Sequence, residues 1–315
     1  MILGFDIGGT KCAVITATEN NGEFLICDKR SIPTDLSIAP EEMLQKLIEI
    51  ADEMIINDTV SSIGVSCGGP LDSKKGVILG PPNLIGWDYV EICKILSDHF
   101  GVKVNLQNDA NACAVAEWKF GAGKGFNNVI FLTFGTGLGA GLILDGRLYT
   151  GTNDNAGECG HIRLDRFGPV GYGKAGSFEG FCSGNGIAQL GYTMALELVQ
   201  SGKSTLYFKK GMSPNEVTAK TIADAAAMGD ETAIKVYELC GEYLGKGLSV
   251  LIDILNPERI VIGSVFARSE DLLRKSMQKV IDAEALGLSA QCCKVVPAML
   301  GEKIGDYAAI ATALL

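Results

Sequence analysis

Val102-Lys-Val-Asn-Leu-Gln-Asn-Asp-Ala-Asn111 joins a strand to a helix. Val102, Val104 and Leu106 alternate with polar residues, the pattern of a strand with one buried face. Ala110 to Phe120 is rich in small and helix-forming residues. Asn108 and Asp109 therefore fall where the strand ends and the helix begins. An acid at the carboxyl end of a strand can accept a proton from a hydroxyl held in front of it. The plainer reading is that Asn108 or Asp109 caps the helix, its oxygen taking a free backbone N–H. On these residues alone the cap is the stronger reading; the rest of the chain shifts the weight.

Upstream, Met1–Phe5 reads as a short buried strand and Cys12–Ala17 as another apolar run. Between them stands Asp6-Ile-Gly-Gly-Thr-Lys11. Two glycines and a threonine in a tight turn leave N–H groups and a hydroxyl free for a phosphate. Lys11 adds positive charge, and Asp6 could hold Mg²⁺ through water. A plain hairpin would explain Gly8 and Gly9 but not the flanking Asp and Lys. Glu23–Ser31 completes a meander. Pro40 to Ile56 places Met43, Leu44, Leu47, Ile48, Ala51 and Met54 at helical spacing, with Pro40 at a first helical position. Ser62–Ser66 is a buried strand, Pro81–Trp87 a loop, and Tyr89–Phe100 a helix.

Downstream, Gly121–Asn128 is polar and glycine-rich, a domain boundary. Val129–Thr133 is a strand, and Phe134-Gly-Thr-Gly-Leu-Gly-Ala-Gly141 leads into the apolar run Leu142–Leu144. Gly135, Gly137 and Ala140 fit a dinucleotide fingerprint only loosely, because that motif must open a helix. A second strand–glycine turn–strand phosphate loop is the better reading, and its echo of Asp6–Lys11 is the one internal repeat. Gly202-Lys-Ser-Thr205 is not a Walker loop, since Glu197 stands where the first glycine belongs. Gly157-Glu-Cys-Gly-His161 and Gly176-Ser-Phe-Glu179 form a second dense patch. Singly, Glu158, Glu179 and His161 read as solvated acids and a satisfied imidazole; together, in a low-charge glycine-rich setting, they read as a site. Helices follow at Gly186–Gln200, Thr218–Met228, Glu231–Ile254, Leu272–Ala285 and Gly305–Leu315, with a buried strand before Gly263.

The bulk properties narrow the function. The 315 residues suit two domains, and 47% hydrophobic with 20% charged residues makes a globular chain with a sizeable core. A net charge of −10 argues against nucleic acid or an anionic membrane as the main partner. The start of the sequence shows no signal peptide, and no apolar run spans a bilayer. Ten cysteines without a Cys-x-x-Cys pair read as small buried hydrophobes in a reducing cytoplasm. Cys159 and His161 lack the further ligands of a metal site.

The motifs, taken in order, resemble the ROK family (repressor, open reading frame, kinase) of bacterial sugar kinases. They are Asp6–Lys11, Pro82-Asn83 with Gly86-Trp87, Asn108–Asn111, Thr133–Gly141, Gly157-Glu-x-Gly-His161 and Glu179. The resemblance covers essentially the whole chain. It implies an α/β, two-domain, actin-like or ribonuclease-H-like ATPase fold with mixed sheets flanking a cleft. Domains would span 1–120 plus 305–315, the final helix returning to the first, and 121–304. The implied reaction is ATP-dependent phosphorylation of a hexose hydroxyl, usually the 6-OH. Residue by residue, Asp109 resembles the catalytic base, and Asn83, Asn108, Asp109, Glu158, His161 and Glu179 resemble sugar ligands. Asp6, Gly8, Gly9, Thr10 and Lys11 would serve Mg²⁺ and phosphate, as would Thr133, Gly135, Thr136 and Gly137. Gly263 would lie near the adenosine. Sugar hydroxyls both donate and accept, which Asn, Asp, Glu and His can match. Two domains joined through glycine-rich segments would permit closure that excludes water.

One departure is large. The family usually carries a zinc motif, Cys-x-Cys-Gly-x-x-Gly-Cys, after the histidine. Here Val170, Tyr172 and Ser177 occupy the cysteine positions, and one residue is missing before them. No structural zinc is expected, and loop 162–177 would be held by packing of Tyr172 and Phe178. Ser264 stands where a second glycine is common. Glucose is the default sugar, with N-acetylmannosamine the alternative. A repressor is disfavoured, because the phosphate turn begins at residue 6 with no room before it for a helix-turn-helix domain. A silent sugar sensor is disfavoured by the retained Asp6 and Asp109. A cytoplasmic homodimer is the remaining implication.

Overall fold

Ile2–Ile7 runs into Gly8, Ser62–Cys67 into Gly68, and Val104–Asn108 into the helix that Asn108 caps. The computed structural model describes residues 1–20, 23–56, 58–209 and 211–315. In chain order the elements are β1 (Ile2–Ile7), β2 (Lys11–Asn20), β3 (Glu23–Pro33), α1 (Pro40–Met54), β4 (Ser62–Cys67), β5 (Leu71–Asp72), β6 (Val77–Ile78), α2 (Ile92–Phe100), β7 (Val104–Asn108) and α3 (Asp109–Phe120). Next come β8 (Val129–Phe134), β9 (Leu138–Leu144), β10 (Arg147–Tyr149), β11 (Val170–Gly171), β12 (Lys174–Ala175), α4 (Phe178–Phe181) and α5 (Gly184–Gln200). The chain ends with α6 (Ala219–Ala227), α7 (Glu231–Leu255), β13 (Arg259–Ile262), α8 (Val265–Glu284), α9 (Gly287–Cys292), β14 (Lys294–Pro297) and α10 (Ile304–Thr312).

Two compact units result, one of residues 1–126, 141–156 and 299–315, the other of 127–140 and 157–298. The first contains the sheet β3-β2-β1-β4-β7. Its first three strands form an antiparallel meander, and β4 and β7 run parallel to β1. The other large sheet has the order β10-β9-β8-β13-β14, again a meander followed by two strands parallel to its inner member. The repeated glycine turn seen in the sequence is thus part of a repeated sheet topology.

In the first unit α1 covers the sheet with Met43, Leu44, Leu47, Ile48 and Ala51, all buried, as the periodicity expects. The last helix packs on β1 and β4 at backbone distance. A Cβ on Gly4 would lie 2.8 Å from Ala309 Cβ, and one on Gly64 would lie 2.1 Å from the Ala309 carbonyl oxygen. Only glycine admits that approach.

Three expectations need correction. Helix α8 begins at Val265 rather than Leu272, directly after β13. Its period is hidden because Ser269, at φ −130° and ψ 28°, breaks the helix internally. Helix α5 begins two residues early, because the Ser183 hydroxyl accepts the Gly186 N–H at 3.0 Å and caps it. Finally, Cys27 and Cys292 are exposed rather than buried.

Candidate functional site

The parallel strands of the first unit bring the first set of candidate residues to one edge. Ile7 pairs with Cys67, and Cys67 with Asn108, so β1, β4 and β7 end in one row. Asp6 stands one residue before that row, and the first glycine turn, Gly68 and Asp109 come directly after it. Asn83 joins them from a distant loop. A Cβ on Gly9 would fall 2.3 Å from the Asn83 carbonyl oxygen, and one on Gly68 would fall 3.8 Å from Asn83 Oδ1. Thr10 and Lys11 are exposed on the turn, and the Thr34 hydroxyl donates to the Gly8 carbonyl.

Asn108 is the N-cap of α3. Its Oδ1 accepts the Asn111 N–H at 2.8 Å, and its Nδ2 reaches the Asp154 carbonyl at 3.5 Å. Asp154 in turn accepts from the Ser73 N–H at 2.8 Å and the Ser73 hydroxyl at 2.7 Å. The capping role therefore falls to Asn108, which frees Asp109 from it. Asp109 is solvent-exposed, yet protein atoms crowd it on most sides. That crowding pushes its carboxyl above the usual carboxylate range, against the pull of the Ala110 N–H at 2.8 Å.

Asp6 is half-buried, and burial lifts its carboxyl to about 6. Lys29 opposes the rise, Asp306 and Asp109 add to it, and Lys11 again opposes it. Lys29 itself is ion-paired with Asp306. An acid whose folded value lies above its ordinary 3.8 binds more protons in the native state than in the unfolded state between those values. Its contribution to stability therefore falls as pH rises from about 4 to about 6, by up to roughly 3 kcal/mol. Urea unfolding across that window should show Asp6→Asn gaining stability over wild type as pH rises, with no gain at its acid end. A constant difference would contradict the lifted Asp6.

Glu179, on α4, organises the second unit's candidates. Its Oε2 accepts the Leu138 N–H at 3.0 Å. A Cβ on Gly137 would come within 2.8 Å of that oxygen, and a Cβ on Gly171 or Gly160 within 2.9 or 3.3 Å of Glu179 Cβ. The second glycine turn, the helical turn Cys159–His161 and β11 thus meet at one glutamate. Glu158 is exposed and His161 half-buried. Thr133 is turned to the backbone, its hydroxyl accepting the Gly139 N–H at 2.9 Å.

Beside Glu179 lies a cavity of about 770 Å³ lined by Gly135, Thr136, Glu179, Tyr192, Ser264 and Arg268. That volume suits a nucleotide-sized ligand. Gly263 does not line it; its N–H is bonded to the Leu132 carbonyl at 3.0 Å, and the next residue, Ser264, reaches the cavity instead. Tyr192, Lys220 and Arg268 also line it and carry no local signal, since they come from three separate helices. Ser183 next to Gly184 could have marked the rim, being a helix cap beside a glycine whose N–H bonds to the Gly135 carbonyl at 2.8 Å.

Ser264 sits at φ 54° and ψ −112°, a conformation that favours glycine. Its hydroxyl accepts from Arg268 at 3.1 Å. Relief of this strain outweighs the lost hydrogen bond and the added unfolded-state entropy, so Ser264→Gly should stabilise the protein by about 1 kcal/mol. Equilibrium unfolding checks this, and a loss of stability would show that the Arg268 bond dominates.

The paired sheet order defines the class: an α/β protein with the actin-like, ribonuclease-H-like ATPase fold of ROK sugar kinases. Residues 2–314 match the ROK family, and the chain belongs to it. It is 33% identical over 312 residues to a glucokinase of Halalkalibacterium halodurans, covering 96% of this chain and 92% of that one. It superposes with a TM-score of 0.75 on a ROK family glucokinase from Streptomyces griseus in complex with glucose and AMPPNP, at 28% identity and 99% coverage of both chains. It is also 30% identical over 259 residues to the DNA-binding transcriptional dual regulator NagC of Escherichia coli, covering 81% of this chain and 61% of that one. Among the described residues no helix is long and apolar enough to cross a membrane, and no three His, Cys, Asp or Glu side chains are grouped to hold a metal ion.

Proposed function

We propose that this chain is an ATP-dependent sugar kinase that transfers the γ-phosphoryl group to a hexose hydroxyl, the 6-OH, with glucose as its default substrate. The observation that carries the proposal is the row Ile7–Cys67–Asn108. It collects a phosphate-type turn, a partly buried acid, an amide and an accessible acid at one edge of a sheet. The glucose and AMPPNP bound by the Streptomyces griseus relative support the same substrates here.

In this reading Asp109 accepts the proton of the attacking hydroxyl while the new O–P bond forms. The bond from the γ-phosphorus to its bridging oxygen breaks, and ADP leaves with that electron pair. Asn83, Asn108, Glu158, His161 and Glu179 hydrogen-bond sugar hydroxyls. The N–H groups of the two glycine turns, with Thr10, Lys11 and Thr136, hold the phosphates, and Asp6 would hold Mg²⁺, which would neutralise phosphate charge. Phosphoryl transfer asks mainly for such positioning and charge neutralisation. The adenosine occupies the cavity at Tyr192, Ser264 and Arg268.

ADP release from Mg-ATP against glucose, mannose, fructose, allose, N-acetylglucosamine and N-acetylmannosamine tests this. Strong turnover with glucose is expected. Turnover with N-acetylmannosamine alone would move the substrate to the alternative. Sugar binding without turnover across the panel would favour the sensor reading that the NagC likeness keeps in view.

A further inference from the structure

Hairpin β11–β12 returns to His161 at two points. The Tyr172 ring meets the imidazole edge-on, with centroids 5.2 Å apart at 81°. The Lys174 ammonium donates to the His161 carbonyl oxygen at 2.7 Å. Of the two residues expected to hold loop 162–177 by packing, only Phe178 is buried; Tyr172 is 78% exposed. Moreover, Tyr172 and Gly173 are the two central residues of the hairpin turn, at φ 44° and 75°. Such a turn favours Asn-Gly or Gly-Gly. An aromatic residue held there, strained and uncovered, is not explained by folding.

The residues at the family's zinc positions do not make a zinc site. Val170 has no donor atom. The Ser177 hydroxyl is buried and already accepts the Gly180 N–H at 3.0 Å. The Cys159 thiol lies buried, which pushes it up to about 12. A tetrahedral site needs four nitrogen, sulfur or carboxylate ligands, and His161 has no such company among the described residues.

We infer that Tyr172 and Lys174 are positioning residues that orient the His161 imidazole in place of a metal. The ring fixes the imidazole plane from one side, and the ammonium pins the backbone that carries it. The inference rests on the proposed role of His161 as a sugar ligand. Its physical core, the Tyr172–His161 contact, can be tested without that role.

The experiment uses the full chain, wild type beside Tyr172→Phe and Tyr172→Asn. Asparagine suits the left-handed turn, so the fold is kept while the ring is removed. The chain has only two histidines, His99 and His161. Imidazole NMR resonances should therefore show the His161 signal displaced by the loss of the ring current in Tyr172→Asn, with His99 unmoved and Tyr172→Phe close to wild type. Tyr172 also lines the cavity assigned to adenosine, so the sugar KM is the readout: it should rise roughly 10-fold to 100-fold in Tyr172→Asn, with Tyr172→Phe restoring wild-type behaviour. Purified wild type should hold well under one zinc per chain after growth with added zinc. An unmoved His161 signal, an unchanged sugar KM, or stoichiometric zinc would overturn the inference. If wild type neither binds nor turns over any sugar, the kinase reading fails, and the NMR shift alone then decides whether Tyr172 orients His161.

Discussion

Asp109→Asn should abolish most turnover and leave sugar binding nearly intact. Loss of a positioned carboxylate base is expected to lower kcat by about 10²–10⁴-fold. The fold should tolerate the change. The helix cap belongs to Asn108, whose Oδ1 takes the Asn111 N–H at 2.8 Å, and an asparagine oxygen at position 109 can still accept the Ala110 N–H. Because folding raises the Asp109 carboxyl, as it does that of Asp6, asparagine should not cost stability at neutral pH; the lost helix-end charge opposes that gain only in part. Burial that raises the Asp109 carboxyl also sets a sign for pH. The base acts when ionised, so kcat/KM should fall on the acid side, beginning above the usual carboxylate range. Calorimetric sugar titration beside coupled ADP assays separates the cases. Turnover close to wild type would remove Asp109 from the chemistry, and loss of sugar affinity with kcat preserved would make it a ligand only.

Glu117→Ala should be among the most destabilising single changes in the first unit, by roughly 3–5 kcal/mol. Glu117 is fully buried on α3. Its Oε2 accepts the Ala122 N–H at 2.7 Å and its Oε1 the Leu300 N–H at 2.8 Å. One carboxylate thus ties the end of α3 to the segment that leads into α10, where Phe120 and Tyr307 pack at 5.6 Å. Gly121 leaves it room, since a Cβ there would lie 2.0 Å from Glu117 Oε2. Alanine takes a charged acceptor away from two part-buried backbone N–H groups, those of Ala122 and Leu300. Glu117→Gln should lose less, because its amide oxygen still accepts one N–H while its NH₂ faces the other. Urea unfolding of both variants measures the order. A Glu117→Ala protein within 1 kcal/mol of wild type would mean that water replaces the carboxylate.

Elements with their own local chemistry were legible in the sequence. The Asp6–Lys11 turn announces itself because a tight turn between buried strands needs glycine, and an acid and a lysine flank it. Helix α1 is legible because five buried residues share one face. Features made by distant partners were not. Glu117 looks like an ordinary helix acid, because Leu300 is 183 positions away. Strands of two residues have no period to read, so hairpin β11–β12 and the exposure of Tyr172 were hidden. That Ser264 and not Gly263 lines the cavity has no local signal either, since the positive φ of Ser264 is a backbone feature that its identity does not announce.

The most direct measurement is identification of the product. Purified protein, Mg-ATP and the best sugar of the panel are incubated, and the mixture is read by ³¹P NMR and mass spectrometry. The expected result is one hexose phosphate, esterified at the 6-hydroxyl, formed in equal amount to ADP. Inorganic phosphate accompanying ADP with no sugar ester, or no ADP above a sugar-free control, would contradict the assignment of this chain as a sugar kinase.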